Sequence, residues 1–428
     1  MRRALIASVL TGLSGQAAIM VSGVVAARML GVEHRGELAL LLVLPLLLTQ
    51  FGGLGLPLAT TFEIAREPKI ARPLLRGLRG FVGLQTILLT LVHGVILVLL
   101  MRGRDNDVQL AAASTIVIVP SYVALAHGLA VMQGQERYTE FNVLRLAPAI
   151  LYAAVALGLF ASGSGTLPLL TGSAAAGWLV IGVLTLVLAI RGSQRGVPDA
   201  ALPSTAHLVR FGARSMLGSV SPSDGAGIDQ VVIGLFLSTR ALGLYVVAAA
   251  FMNLSRLVTQ SIGLVAYPQV AARRDPEAAE RAMWRFTATG VAAAAAIVVV
   301  LELVVDRLIV FFFGDSFAPA AGVARVLLVA ALFMGARRVL SDAARGANRP
   351  LAGTVAEIAS WVVLVPSMIV LTPLFDLHGV AWALVLASAA GLWVILWRVR
   401  RPLGPQPPAP PRYPAAPVDV VADSRDVL

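Results

Sequence analysis

The chain has 428 residues, of which 58% are hydrophobic and 13% are charged, with a net charge of +11 and no cysteine. Soluble domains have about a quarter of their residues charged, so the composition excludes an ordinary soluble domain, and the lack of cysteine excludes disulfides and thiolate metal sites. The positive charge is concentrated at the ends of apolar runs, which membrane topology and anionic lipids explain, and no nucleic-acid partner is implied.

Apolar runs of about 20 residues recur along the chain, and a helix of that length crosses the ~30 Å hydrocarbon core of a bilayer. They predict twelve membrane-spanning helices at 4–27, 38–62, 81–101, 108–133, 142–161, 167–190, 208–237, 243–267, 286–313, 317–336, 351–374 and 379–397. The first run resembles a signal peptide but is longer than a typical apolar signal region, and eleven more runs follow. It is therefore interpreted as a retained helix of an all-α integral membrane protein.

The connectors between the runs are alternately rich and poor in arginine. Of the 34 basic residues, 25 fall in the two termini and in the connectors on the same side as the termini, and three fall within spans. The other six are Arg28, Arg35, Arg102, Arg104, Arg240 and Arg307. Because cytoplasmic segments retain positive charge, the pattern predicts a multi-pass protein of the cytoplasmic (inner) membrane with both termini in the cytoplasm.

The two halves of the chain carry similar markers in the same order. A Leu-Gly pair, a Thr-Gln pair and a proline occur at 30–31, 49–50 and 57 in the first half, and at 242–243, 259–260 and 268 in the second. Alanine- and leucine-rich helices also resemble one another by chance, but the ordered placement favours a repeat of six plus six helices. This predicts two six-helix lobes, at 1–200 and 201–400, around a central cavity, followed by a proline-rich, disordered cytoplasmic tail at 401–428.

Arg256 is the strongest candidate for a functional residue within the spans, where an ionisable group is costly and normally faces an aqueous cavity or a partner. Asn253, Arg256 and Gln260 recur at helical spacing and form one polar stripe on an otherwise apolar span. A guanidinium offers two parallel donors that match a phosphate. The alternative is that Arg256 pairs structurally with a carbonyl group or an acid on a neighbouring helix.

The seventh span is interrupted by a segment rich in proline and glycine, SVSPSDGAGIDQ at 219–230, which predicts a break or kink. Asp229 lies at the end of this segment. It could balance the charge of Arg256, accept H⁺ or Na⁺ during transport, or belong to a hinge with a structural ion pair. Beyond such ion coupling, no cofactor and no metal site is predicted.

Four further polar residues within or near the spans are candidates for a functional or structural role. Gln16 occupies the region of the first span that is equivalent to Asp229, and Gln50 corresponds to Gln260 in the repeat. Arg145 either extends to the lipid headgroups or faces the cavity, where it would meet a pyrophosphate entering from the cytoplasm. Glu357, at the start of the eleventh span, could pair with an arginine of a cytoplasmic connector.

Several loose motifs resemble those of polysaccharide and O-antigen flippases within the multidrug/oligosaccharidyl-lipid/polysaccharide exporter superfamily. They are ARMLGVEHRGELAL, FGGLGLPLAT, IDQVVIGLFLSTRALGLYVVAAAF, MQGQERYTEFNVLR and AARGANRPLAGTVAE, and the resemblance covers about residues 4 to 398. It implies two lobes around a cavity and an alternating-access cycle that moves a lipid-linked oligosaccharide outward. The implied partners are that substrate, membrane lipids and other polysaccharide-assembly proteins.

Three classes of function remain open at this stage. The first is a flippase for undecaprenyl-diphosphate-linked oligosaccharide, with a lipid II flippase as a close variant. The second is an ion-coupled exporter of organic cations, which would favour acidic and aromatic residues in the cavity. The third is a membrane glycan polymerase or glycosyltransferase, but the outer connectors are short and no P-loop is present. A non-enzymatic transporter is therefore predicted.

Overall fold

A computed structural model describes residues 2–193, 202–219, 227–273 and 275–401, and every regular element in that part of the chain is helical. The helices are α1 (Arg2–Gly52), α2 (Leu56–Arg66), α3 (Ala71–Leu100), α4 (Asn106–Ser114), α5 (Ile118–Gly134), α6 (Tyr138–Ala161), α7 (Leu167–Gly192), α8 (Thr205–Ser219), α9 (Ile228–Phe236), α10 (Thr239–Ala271), α11 (Pro276–Phe313), α12 (Ala320–Gly346) and α13 (Pro350–Arg400).

The predicted spans coincide with these helices. In the described chain, seven helical segments are long and apolar enough to cross a membrane, and two of them, Ser14–Gly52 and Leu351–Arg400, each cover two predicted spans. The remaining predicted spans, 208–237, 286–313 and 317–336, coincide with α8 and α9, with α11, and with α12. The prediction of an all-α membrane protein is confirmed, and the helices agree with the layout of twelve spans.

Local backbone geometry breaks the long helices where the sequence provides the right residues. Gly31 has φ 69° and interrupts α1 between its two spans, and Asp376 has φ 48° and interrupts α13 in the same way. Leu54 and Gly55, both with positive φ, separate α1 from α2 within the second predicted span. Glycine accepts positive φ without a steric penalty, which explains Gly31 and Gly55.

Helices α1 to α7 pack against one another as a first lobe, and α9 to α13 form a second lobe with α10 and α12 at its centre. Helix α8 packs on α2 and α3 of the first lobe. The lobes meet where α1 lies against α10. A Cβ atom on Gly36 would lie 1.8 Å from the carbonyl oxygen of Thr239, and one on Gly243 would lie 2.0 Å from the carbonyl oxygen of Val32. These two glycines therefore allow direct contact between the backbones of the two lobes.

The outer surface of the bundle suits contact with hydrocarbon. Large apolar side chains such as Leu303, Ile369 and Trp393 are 77%, 69% and 67% exposed. A soluble monomer rarely exposes contiguous apolar surface on this scale, whereas lipid tails solvate it without cost. The chain is a multi-pass membrane protein.

The two Leu-Gly markers of the predicted repeat do not correspond in the structure. Gly31 lies at the break in α1, whereas Gly243 lies one turn inside α10, so the two Leu-Gly pairs do not occupy matching positions. The glycine that faces Gly243 across the lobe contact is Gly36, five residues later. The predicted disordered tail beyond residue 401, and residues 220–226 of the predicted interruption, lie outside the described residues.

Candidate functional site

The polar stripe of α10 is present in the structure. Asn253, Arg256 and Gln260 are partly exposed, whereas Thr259, on the adjacent face, is 1% exposed and packs against Gly335 of α12. One Nη of Arg256 donates a hydrogen bond of 3.1 Å to the Oδ1 of Asn253. The amide of Asn253 thus binds the guanidinium on its own helix, where both residues are partly exposed.

Asp229 lies in the first turn of α9, close to this stripe. Its carboxylate accepts a hydrogen bond from the hydroxyl of Tyr245, which is fully buried, and it lies within electrostatic range of Arg256. The structure therefore brings Asp229 and Arg256 into one neighbourhood, but the direct partner of Asp229 is Tyr245. Sequence analysis missed Tyr245, although it precedes Arg256 by eleven residues, which is about three helical turns and places both on one face.

Gln50 lines a different space, a cavity of about 370 Å³ where α1, α2, α3 and α5 meet Met216 of α8. Tyr122 and His127 also line it, and the Nδ1 of His127 is buried without a hydrogen-bond partner in the described chain. The Nε2 of Gln85 donates to the carbonyl oxygen of Gly52 at 2.7 Å, where the backbone between α1 and α2 breaks. This cavity combines a mostly apolar wall with several polar side chains and belongs mainly to the first lobe.

The other two predicted site residues do not join Arg256. Gln16 is partly exposed on the first half of α1, and it lines neither this cavity nor the one around Arg35 described next. Arg145 is exposed on α6, with its guanidinium 5.4 Å from the centre of the Phe141 ring. The structure therefore separates the predicted residues into a group on α9 and α10, a cavity around Gln50, and two peripheral positions.

Arg35 is a charged residue that sequence analysis assigned to an outer connector. Its backbone lies in α1 just beyond the break at Gly31, and its side chain lines a cavity of about 310 Å³ inside the first lobe. Tyr152 of α6 and Trp178 of α7 line the same cavity. Arg35 lies within the motif ARMLGVEHRGELAL, but the motif does not indicate where its side chain points, because that direction depends on the helical phase after Gly31.

Several other arginines of the second lobe are paired with acids. Arg337 of α12 is 2% exposed and donates to the carboxylate of Glu357 on α13, as expected for Glu357. Arg325 forms an ion pair with Asp306. These pairs join neighbouring helices of one lobe and have a structural role.

The family described as "Polysaccharide biosynthesis protein" matches residues 2–273. No curated protein sequence matches the chain. The structure is similar to that of the lipid II flippase MurJ in an inward closed conformation, with a TM-score of 0.72, 13% identity, and coverage of 92% of this chain and 88% of that chain.

Two multidrug transporters also share the architecture. An inward-facing MATE family transporter of the MOP superfamily has a TM-score of 0.67 and 16% identity, with coverage of 90% of this chain and 94% of that chain. The MATE multidrug transporter DinF-BH has a TM-score of 0.65 and 14% identity, with coverage of 93% of this chain and 94% of that chain. At these identities the likeness establishes a shared fold, as the motifs had predicted.

Proposed function

The chain belongs to the polysaccharide biosynthesis protein family, and we propose that it moves an undecaprenyl-diphosphate-linked oligosaccharide across the cytoplasmic membrane by alternating access, for the synthesis of cell-surface polysaccharide. The observation that carries this proposal is the guanidinium of Arg256 inside the membrane-spanning region, held by Asn253 on a partly exposed face of α10. Arginine stays charged at any physiological pH and binds phosphate through parallel hydrogen bonds.

Asp229 and Tyr245 give the site a means of releasing the diphosphate. Asp229 accepts a hydrogen bond from the hydroxyl of Tyr245 and lies within electrostatic range of Arg256. In this position its carboxylate competes with a bound anion for interaction with the guanidinium of Arg256. A movement of α9 relative to α10 changes that competition. Helix α1 of the first lobe contacts both α9 and α10, so in this proposal a change in the relative position of the lobes shifts α9 against α10 and alters the tightness of diphosphate binding. Protonation of Asp229 or Na⁺ binding there is a further way to drive the change.

The nearest alternative is a lipid II flippase, because lipid II also carries a diphosphate on a polyprenyl lipid and the fold is similar to that of MurJ. An exporter of organic cations fits the stripe less well, because Arg256 would repel a cation. The proposal is therefore of a transporter of lipid-linked anions rather than of an enzyme.

The arginine pattern supports an arrangement with both termini in the cytoplasm. Cysteines introduced at positions 105 and 376 are expected to react with an impermeant thiol reagent added outside the cell, and cysteines at positions 192 and 281 are expected to be protected. The absence of native cysteine makes the labelling simple to interpret. The reverse pattern would contradict this orientation.

Lipids and other polysaccharide-assembly proteins are the expected partners.

The test of the function compares variants of Arg256 in cells that lack the native protein. Arg256→Ala is expected to abolish surface-glycan export at unchanged protein level, and Arg256→Lys to restore it only in part, because an ammonium keeps the charge and loses the paired donors. Arg240→Ala is the matched control, since Arg240 is an exposed arginine at the start of the same helix. The proposed role of Arg256 would be refuted if cells with Arg256→Ala exported surface glycan normally while all strains assembled lipid II-derived cell wall normally.

A further inference from the structure

The cavity around Arg35 is separate from the proposed diphosphate site. It measures about 310 Å³ and lies among α1, α6 and α7 of the first lobe, lined by Arg35, Ser22, Tyr152, Trp178 and apolar side chains. Neither Arg256 nor Asp229 nor Gln50 lines it. Its volume is at the lower end of the ~300–1,000 Å³ range of small-molecule sites.

Two polar groups in this cavity lack a partner in the described chain. The Nε of Arg35 is buried and has no hydrogen-bond acceptor. The hydroxyl of Tyr152 is also buried without a hydrogen-bond partner, and it lies within electrostatic range of the Arg35 guanidinium. Two acids lie two residues from Arg35 along the chain. Glu33 is exposed and does not line the cavity, and Glu37 bonds to His34 at 2.7 Å and to Arg104 at 3.3 Å. A buried cation without a counter-charge is costly, so an anion that enters this cavity gains a strong interaction.

The composition of the cavity limits which anion fits. Among its lining residues Arg35 is the one charged side chain, so it balances one negative charge, whereas a diphosphate carries more. The two donors of a guanidinium match a carboxylate, and the hydroxyl of Tyr152 provides a third donor. The rest of the wall is mainly apolar, and the rings of Tyr152 and Trp178 form its aromatic part. Such a wall suits a ring compound that carries a single acid group.

We propose that this cavity binds the carboxylate of an acidic sugar, with Arg35 and Tyr152 as donors to the carboxylate and Trp178 against the sugar ring. The inference rests on the proposed function in that the acidic sugar belongs to the transported glycan. It divides recognition between the lobes: the second lobe holds the diphosphate through Arg256, and the first lobe selects glycans that carry an acidic residue.

The test uses the purified full-length protein in detergent and measures the midpoint of thermal unfolding as sodium glucuronate is added. Glucuronate is expected to raise the midpoint in a saturable manner, and glucose and the uncharged methyl ester of glucuronate are not. Arg35→Gln is expected to weaken glucuronate binding by about ten- to hundredfold, which corresponds to the loss of a hydrogen bond to a charged group. Arg35→Lys is expected to lie between that variant and the native protein.

Two further variants separate a binding role from a structural one. Tyr152→Phe keeps the ring and removes only the hydroxyl, so it is expected to weaken glucuronate binding even if Arg35→Gln proves unstable. Arg240→Gln is expected to bind glucuronate like the native protein, because Arg240 is exposed and lies in the other lobe.

Four results would overturn the assignment. They are no glucuronate binding, equal binding by the methyl ester, equal stabilisation by inorganic phosphate, and displacement of glucuronate by phosphatidylglycerol micelles, which would assign the cavity to a lipid headgroup. The proposed function is tested independently, because Arg256→Ala should still bind glucuronate while failing to export glycan. If the chain moves no lipid-linked glycan but binds glucuronate through Arg35, the transport proposal fails and this site stands.

Discussion

Arg337 in the second lobe and Arg35 in the first are both arginines of membrane-spanning helices, and they differ in what surrounds the guanidinium. Arg337 is 2% exposed and donates to Glu357 on the next helix, and its neighbour Arg338 donates to Asp342 at 3.0 Å. Arg35 has no carboxylate partner in the described chain, and the buried hydroxyl of Tyr152 beside it has no hydrogen-bond partner there either.

This difference separates two uses of the same residue type. A buried charge that is paired within the protein joins helices, and removing one partner leaves the other uncompensated. A charge without a partner does not stabilise the fold, and its cost is offset only when a ligand arrives. Arg256 lies between these cases, because it bonds to the amide of Asn253 and has Asp229 within electrostatic range.

The largest expected effect comes from removing one member of the buried pair. Glu357→Leu leaves Arg337 uncompensated and is expected to lower the free energy of unfolding by about 3 to 5 kcal/mol. The midpoint of thermal unfolding in detergent measures this. The double variant Arg337→Met with Glu357→Leu is the control, and it is expected to recover most of the loss. If Glu357→Leu is as stable as the native protein, the pair is not structural.

A change of opposite sign is expected for Arg35. Arg35→Met removes a charge that has no protein partner and retains the apolar length of the side chain, so the free energy of unfolding is expected to rise by about 0.5 to 2 kcal/mol. The same measurement, made without any sugar, checks it. A fall in stability comparable with that of Glu357→Leu would mean that Arg35 is structural, and the contrast between the lobes would disappear.

The smallest expected effect is at the pair of Arg325 and Asp306. Both side chains are about half exposed, at 50% and 52%. Exposed ion pairs contribute at most about 1 kcal/mol, so Asp306→Asn is expected to change the free energy of unfolding by less than that. If Asp306→Asn lowered the free energy of unfolding as much as Glu357→Leu does, the exposed fraction of the side chains would not predict how much each ion pair contributes to stability.

The sequence predicted the helices well and the sites only in part. Long apolar runs are a strong signal, because the bilayer fixes the length of each span, and so the twelve spans coincide with the helices of the structure. The stripe on α10 followed from helical periodicity within one uninterrupted helix. The pairing of Glu357 with an arginine was also expected, because an acid at that position requires a counter-charge.

The sites that the sequence missed depend on geometry beyond one helix. Gly31 interrupts α1 with φ 69°, so the helical phase before it does not predict where Arg35 points. Tyr245 and Asp229 lie in one motif but on two helices, and the motif does not indicate that their side chains meet. The packing of Gly36 against Gly243 likewise depends on how the lobes meet.

The most direct measurement of the central claim uses liposomes that contain the purified protein and a fluorescent undecaprenyl-diphosphate-linked oligosaccharide. An impermeant reagent added outside bleaches only the outer-leaflet lipid, so transport appears as bleaching of the inner-leaflet fraction as well. The native protein is expected to make nearly all of the probe accessible, and Arg256→Ala is expected to leave the inner-leaflet fraction protected. Equal bleaching with the native protein and with empty liposomes, or with the native protein and Arg256→Ala, would contradict a transport mechanism in which Arg256 binds the diphosphate.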